Sequence, residues 1–154
     1  MLAKSARIWR RHLLALGVLA GGVTLALTAA PHTLRADEAA VAVDTTGLNS
    51  VGSAWLTENP YRKDTAQYDI AIKIGSSGFN QNCARCHGLE AKSGGIAPDL
   101  RYLDDGKPGD EWFINRIRNG FAQNGMTKMP KWEGLLSQEA MWAIRSYIET
   151  RPKD

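Results

Sequence analysis

The stretch Cys83-Ala84-Arg85-Cys86-His87 decides how this chain folds and what it can hold. C-x-x-C-H is the pattern that attaches a c-type haem, because each thiol can add to one vinyl group of the macrocycle and the adjacent imidazole can bind the iron. The two residues between the cysteines set the thiols at the separation of the two vinyl groups. The pattern therefore predicts one covalently bound haem c, with Cys83 and Cys86 as its attachment points and His87 as an axial iron ligand.

The remaining cysteine and histidine content supports this interpretation. The chain has 154 residues and two cysteines, both in the motif, and its three histidines are His12, His32 and His87. A structural zinc site needs four ligands, and the chain beyond its N-terminal segment supplies three Cys and His residues. A thioredoxin-like dithiol needs a βαβ pattern, which is not evident. An exported thiol pair could also form a disulfide, but the adjacent histidine favours haem.

Residues 1–36 indicate a secretory signal. A basic start is followed by an apolar run over residues 13–30 and then by small residues. The run has 18 residues, the lower limit for a helix that spans a membrane, so an uncleaved anchor is the alternative. Glycines within the run weaken that alternative. We expect cleavage near Ala36 and a periplasmic protein without stable membrane insertion afterwards.

Removing the signal also changes the charge balance. The chain carries 19 basic and 16 acidic side chains, and five of the basic ones but none of the acidic ones lie in residues 1–36. The exported part would keep 14 basic side chains against all 16 acidic ones, so its net charge would be negative. Two haem propionates would make it more negative. Nucleic-acid binding, which needs a basic surface, has no support in this composition.

Beyond the signal we expect an irregular N-terminal extension, residues 37–65, and one domain, residues 66–154. Apolar residues spaced three and four apart predict three helices. Their apolar faces would contain Ala71, Ile74, Gly75, Gly78 and Phe79, then Phe113 and Ile117, and then Ala140, Ile144, Tyr147 and Ile148. No alternating strand pattern is evident, so the domain is predicted to be all-α. Such a small domain has a weak core, and a buried haem would supply the missing apolar volume.

Polar residues mark the boundaries of the second and third helices. Asp110 is predicted to cap the second helix, and Asn119-Gly120 to end it. Ser137 is predicted to cap the third helix, with Pro152 just beyond its end.

A methionine is the expected second axial ligand, because no histidine remains and Met/His ligation raises the reduction potential of a haem. Met141 lies in a predicted helix beside its apolar face, which indicates core packing, and Met126 follows Gly125 in a flexible loop. Met129 precedes Pro130, which biases it towards an extended backbone and would stiffen the loop that aims the thioether. Met129 is therefore the predicted ligand, with Met126 as the alternative.

Together these residues resemble the class I c-type cytochromes over residues 66–150. The similarity rests on Gly75, Phe79, residues 83–88, Ala97-Pro98-Asp99-Leu100, Met129-Pro130 and Tyr147. It implies a class I cytochrome c fold, with three main helices and long loops wrapped around one covalently attached haem.

The same resemblance implies roles for individual residues. Gly75 would lie where the first and last helices cross, against Tyr147. The backbone carbonyl of Pro98 would accept a hydrogen bond from His87 and so orient the ring. Trp112 or Arg116 would contact a haem propionate.

A narrower resemblance, to the PedF-type periplasmic cytochromes c, covers most of the exported chain. It rests on residues 43–48, 58–62 and 76–103. Those proteins are similar to cytochromes that accept electrons from dehydrogenases dependent on pyrroloquinoline quinone (PQQ), including lanthanide-dependent methanol dehydrogenases. The resemblance implies a PQQ-dependent alcohol or methanol dehydrogenase as electron donor, and another cytochrome or an oxidase as acceptor.

The predicted function is that of a soluble periplasmic electron carrier with no catalytic residue. Arg85, Lys92, Lys128 and Lys131 are close in sequence to the motif and to Met129, and we hypothesise that they surround the haem edge; scattered charges are the alternative. Two other functions stay open. An open-site haem enzyme or gas-binding haem protein requires that no methionine binds the iron, and a membrane-anchored cytochrome would donate electrons to an oxidase.

Overall fold

Helices provide most of the regular structure in residues 40–154, the part of the chain that a computed structural model describes; the predicted signal lies outside these residues. In chain order the elements are α1 (Thr65–Asn82), α2 (Ala84–His87), α3 (Lys107–Asn119), β1 (Phe121–Gln123), β2 (Met126–Met129) and α4 (Gln138–Glu149). Two short 3-10 turns, Leu89–Ala91 and Leu100–Tyr102, lie between α2 and α3. None of the helices described in residues 40–154 combines the length and the apolar character that a membrane span requires.

Helix α1 begins at a capped end and crosses α4 at close range. The Asp64 carboxylate accepts hydrogen bonds from two backbone amides of the first turn, which satisfies donors that the helix itself cannot pair. At Gly75 an added Cβ atom would lie 1.9 Å from the carbonyl oxygen of Ala143. The rings of Phe79 and Tyr147 pack nearby with centroids 5.5 Å apart. The helix crossing implied for Gly75 is therefore confirmed, while the ring of Tyr147 packs on Phe79.

Helix α4 lies at the centre of the core. Ser137 caps it as predicted, with its hydroxyl oxygen 3.1 Å from the amide nitrogen of Ala140. The predicted apolar face is buried, and so are Met141, Trp142 and Arg145 on other sides of the helix. Helices α1 and α3 both pack against it. A helix that is buried around most of its circumference must lie between other elements.

The start of α3 differs from the prediction. The helix begins at Lys107, and Pro108 lies in its first turn, where a residue without an N–H group is tolerated. Asp110 is therefore inside the helix and fully buried. The prediction that Asp110 is the cap is wrong, because the helix already begins at Lys107, after Gly106; the Asp110 carboxylate is engaged in buried ion pairs instead. The end of the helix at Asn119, followed by Gly120, is as predicted.

Asp110 joins α3 to α4 and to the segment that precedes α1. Its Oδ1 lies 2.7 Å from Nη2 of Arg62 and 2.9 Å from Nε of Arg145. Glu149 pairs with both arginines, and the Asn59 amide donates a hydrogen bond of 2.9 Å to Asp110. Two positive and two negative side chains balance one another, which a buried charge requires. The irregular N-terminal segment is thereby fixed to the helices.

The hairpin formed by β1 and β2 corrects the prediction of an all-α domain. The strands are antiparallel, and the Asn124-Gly125 turn between them has positive φ angles of 52° and 74°. Asn-Gly is the pair that such tight turns favour. Nearly all residues of the two strands are exposed. Their sequence therefore shows no alternation between apolar and polar residues, and the strands were not predicted. The Asn124-Gly125 pair was the feature of the sequence that could have indicated the hairpin.

Replacing Gly75 by alanine should lower the free energy of unfolding by about 3 kcal/mol, because the methyl group would overlap a backbone carbonyl in the core. Chemical denaturation would show a lower midpoint with an unchanged slope. Gly94→Ala is the matched control, since a Cβ atom at Gly94 meets nothing within 4 Å. Equal midpoints for the two variants would contradict the role assigned to the crossing.

Candidate haem site

The three residues of the C-x-x-C-H motif are held on one helical turn. Cys83 follows the last residue of α1, and α2 carries Cys86 and His87. The backbone amides of Cys86 and His87 both donate to the carbonyl of Cys83, at 3.1 and 3.0 Å. Both cysteines are free and half-buried. The turn therefore carries all three residues of the motif.

The environment of the thiols disfavours a redox dithiol. Burial raises the pKa of the Cys83 thiol to about 12, and the neighbouring Cys86 adds to the shift. A redox dithiol needs the opposite, because a lowered pKa supplies the attacking thiolate. Across residues 40–154, no three or more His, Cys, Asp or Glu side chains are grouped so that they could hold a metal ion. The thiols are therefore better suited to covalent attachment than to dithiol exchange.

The imidazole of His87 is oriented by Pro98. Its Nδ1 lies 2.9 Å from the Pro98 carbonyl oxygen, which is the contact that the resemblance implied. When Nδ1 carries the proton and donates this hydrogen bond, Nε2 is the nitrogen left to bind iron. The accepting carbonyl also strengthens the imidazole as a metal ligand.

The loop that carries Pro98 is tied on both sides of that residue. The Ser93 hydroxyl donates a short hydrogen bond to the Ala97 carbonyl oxygen. The Asp99 carboxylate accepts a hydrogen bond of 3.3 Å from the Ser93 amide and two, of 3.0 and 2.9 Å, from the guanidinium of Arg101. Sequence reasoning missed these residues. The available signal was an aspartate two residues before an arginine, beside the proline expected to contact His87.

Met129 lies at the end of β2, at the margin of the core. It is half-buried and packs against the hydrophobic core, as Cys83 does. Of the two other candidates, Met126 is 57% exposed and Met141 is completely buried within α4. The position of Met129 suits an axial ligand better than theirs, and its bond to iron stays a prediction.

The backbone of Met129 is placed by a close approach to the end of α3. Gly120 has a positive φ of 71°, and a Cβ atom there would lie 2.5 Å from the carbonyl oxygen of Met129 and 2.8 Å from the amide nitrogen of Lys131. Glycine is required by both the backbone conformation and the lack of space. The Trp132 amide donates a hydrogen bond of 2.9 Å to the Ile117 carbonyl. The chain after Met129 is therefore fixed to α3.

The side chains expected near the propionates lie together. The guanidinium of Arg116 is 5.2 Å from the ring centroid of Trp112 and 4.6 Å from that of Phe121. Both rings are partly exposed. Contact of Trp112 or Arg116 with a propionate stays a prediction.

One of the four basic residues predicted to surround the haem edge forms an ion pair with an acidic residue. Lys92 forms an ion pair of 2.7 Å with Asp154, which offsets its charge. Arg85, Lys128 and Lys131 are exposed. The two lysines flank Met129 in sequence, and the grouping of the four residues around the haem edge stays a prediction.

These residues fit a covalently attached haem. The donor set contains two free thiols on one turn, an imidazole with one ring nitrogen already engaged and a thioether at the margin of the core. Thioether and imidazole are the ligand pair of Met/His haem proteins.

Comparison with known proteins agrees with this site. The family model described as cytochrome c oxidase, cbb3-type, subunit III matches residues 71–148. Cytochrome c550 of Pseudomonas aeruginosa is 54% identical over 129 residues, which cover 84% of this chain and 87% of that protein. The chain belongs to the class I c-type cytochromes. This cytochrome is a monohaem electron carrier, not an enzyme, and its cofactor is a covalently bound haem c.

A more distant relative of the cytochrome is an enzyme. Quinohemoprotein alcohol dehydrogenase ADH-IIG of Pseudomonas putida is 30% identical over 109 residues, which cover 67% of the cytochrome but 14% of that enzyme. No solved structure matches the chain significantly.

If Met129 binds the iron as predicted, replacing Gly120 by alanine should weaken that bond, because the methyl group would displace the backbone that carries the thioether. The far-red charge-transfer band of methionine-ligated ferric haem should lose most of its intensity. Gly125→Ala is the matched control: Gly125 has a similar φ of 74°, but a Cβ atom there meets nothing within 4 Å. A band of equal intensity in both variants would show that the close approach does not place the ligand.

Proposed function

We propose that this cytochrome is a soluble periplasmic carrier that accepts electrons from a PQQ-dependent alcohol or methanol dehydrogenase and passes them to another cytochrome or an oxidase. Cys83 and Cys86 would attach the haem, and His87 and Met129 would bind its iron. The observation that carries the proposal is the 2.9 Å contact between His87 Nδ1 and the Pro98 carbonyl. It fixes the imidazole in one orientation, as a ligand that must serve both oxidation states requires.

The role of the chain is to hold both axial ligands still. Haem, when bound, supplies one reversible electron at its iron. His87, oriented by Pro98, and Met129, fixed near the end of α3, would both bind the iron and so exclude dioxygen and substrates from it. Ligands that keep their positions make the geometric change between the two oxidation states small. Axial ligation, burial and hydrogen bonding then set the reduction potential.

Similarity to the quinohemoprotein alcohol dehydrogenase supports the proposed electron donor. The name of that enzyme combines a quinone, a haem and alcohol oxidation, and the part similar to this cytochrome is 14% of its length. A separate carrier that is similar to that part would accept electrons from a quinoprotein dehydrogenase that has no haem of its own. The PedF-type resemblance points to the same class of donor.

The periplasmic location is supported by the sequence pattern of residues 1–36 and by the attachment chemistry. A c-type haem is attached to an exported chain before it folds. N-terminal sequencing of the exported protein would distinguish a cleaved signal from a retained anchor, and a retained N-terminus would favour the membrane-anchored cytochrome that donates to an oxidase.

The proposed donor can be tested by stopped-flow mixing of the ferric cytochrome with a PQQ-dependent alcohol dehydrogenase and its alcohol. We expect the haem to be reduced at a rate that increases with dehydrogenase concentration, and no reduction when the alcohol is omitted. The rate should fall as salt is added, because screening weakens attraction between charged partners. Failure of every quinoprotein dehydrogenase tested would remove the proposed donor and leave the carrier function intact.

Replacing Met129 by alanine should open one axial position. The reduced variant should bind carbon monoxide rapidly, whereas the wild-type protein and Met126→Ala should bind it slowly. The ferric variant should also lose the methionine–iron charge-transfer band. Rapid carbon monoxide binding by the wild-type protein would favour the open-site haem enzyme or gas-binding haem protein instead.

A further inference from the structure

We infer that Arg101 is a positioning residue for the axial ligand His87, and that it acts through Asp99 and the carbonyl group of Pro98. The inference deepens the proposed function and rests on it, because it requires that His87 binds the iron.

The pair of Arg101 and Asp99 has the geometry of a rigid clamp. The guanidinium Nε and Nη2 donate to the two carboxylate oxygens at 3.0 and 2.9 Å, and the Arg101 backbone amide donates to Oδ1 at 3.1 Å. The side chains are 6% and 24% exposed, so water competes little for these bonds. A planar bidentate pair fixes the orientation of the carboxylate as well as its distance.

The fixed carboxylate in turn restrains the loop on both sides of Pro98. Asp99 accepts a hydrogen bond from the Ser93 amide, and the Ser93 hydroxyl donates to the Ala97 carbonyl. Pro98 therefore lies between two residues that are both tied to Ser93, and its own φ is fixed by its ring. Its carbonyl group has little freedom left. The contact with His87 depends on this restraint.

Arg101 is itself anchored to the segment that follows α4. Its Nη1 donates a hydrogen bond of 3.1 Å to the Pro152 carbonyl and forms an ion pair of 3.0 Å with Asp154. The 3-10 turn Leu100–Tyr102, which contains Arg101, also packs against α4. The loop that orients His87 is thus connected to the central helix of the core.

The direction of the change in reduction potential distinguishes a positioning role of Arg101 from an effect of its charge. A hydrogen bond from Nδ1 makes the imidazole a stronger ligand, which stabilises ferric iron and lowers the reduction potential. Loosening the loop should therefore raise the potential. Charge alone predicts that Arg101→Gln lowers the potential, because a positive charge is lost, and that Arg101→Lys leaves it unchanged. Lysine keeps the charge but cannot form the bidentate pair.

The experiment compares reduction potentials of the intact haem-loaded proteins. We expect Arg101→Lys to raise the potential by about 59 mV, a tenfold change in a one-electron equilibrium constant. In Arg101→Gln the lost positive charge opposes this rise, so the exchange rate of His87 is the readout for that variant. Hydrogen exchange of the His87 ring N–H, followed by NMR in the reduced protein, should accelerate about tenfold, the scale set by one weakened hydrogen bond. Ser93→Ala changes no charge and should shift both quantities in the same direction. The Ser93→Ala variant serves as the test if the arginine variants do not fold.

Arg62→Lys is the matched control. Arg62 also contacts both oxygens of a buried carboxylate, at 2.7 Å each to Asp110, but it precedes α1 whereas His87 follows it. The Asp110 carboxylate belongs to α3 and not to the loop that carries Pro98. This variant should lose stability without any change in potential or in His87 exchange.

Two results would overturn the inference. One is a potential and a His87 exchange rate in Arg101→Lys that equal those of the wild type, and the other is an unchanged His87 exchange rate in Arg101→Gln. A wild-type protein whose spectrum lacks six-coordinate low-spin haem would instead overturn axial ligation by His87 and Met129, and the inference with it.

Discussion

The crossing of α1 and α4 at Gly75 is the contact on which the rest of the structure depends. No side chain fits there, because a Cβ atom would lie 1.9 Å from the Ala143 carbonyl oxygen. The motif follows α1 directly, so the crossing determines where the two thiols and the imidazole emerge. The far end of α4 leads to Pro152, which accepts a hydrogen bond from Arg101. One helix pair therefore fixes both the attachment turn and the loop that orients His87.

Buried charge supplements the small apolar core. Asp110 and Arg145 are almost completely enclosed, which is costly for charged groups unless each has a partner. Here each carboxylate meets two arginines, and the group joins three segments that are distant in sequence. The ion pairs hold the N-terminal segment in place with directional contacts, where a larger domain could use apolar packing.

Features set by neighbouring residues could be predicted from the sequence, and features set by distant partners could not. The apolar helix faces, the Ser137 cap and the stop at Gly120 follow from local spacing and capping chemistry. Asp110 is a residue type that commonly caps helices. It has another role here because Arg62 and Arg145, which are distant in sequence, approach its carboxylate. The hairpin lacks alternation because it is exposed on both faces. Asp99 and Arg101 are close in sequence, but their importance appears only once Pro98 is seen to contact His87.

The two proposed axial ligands are held by different physical means. Hydrogen bonds and a bidentate ion pair restrain the side of His87, whereas the side of Met129 depends on a close backbone approach at Gly120 and on an exposed hairpin. Their effects on the reduction potential are opposed. The hydrogen bond to Pro98 strengthens the imidazole and favours ferric iron, and the thioether favours ferrous iron. Because the restraints lie on separate segments, a substitution in one can change the potential without disturbing the other ligand.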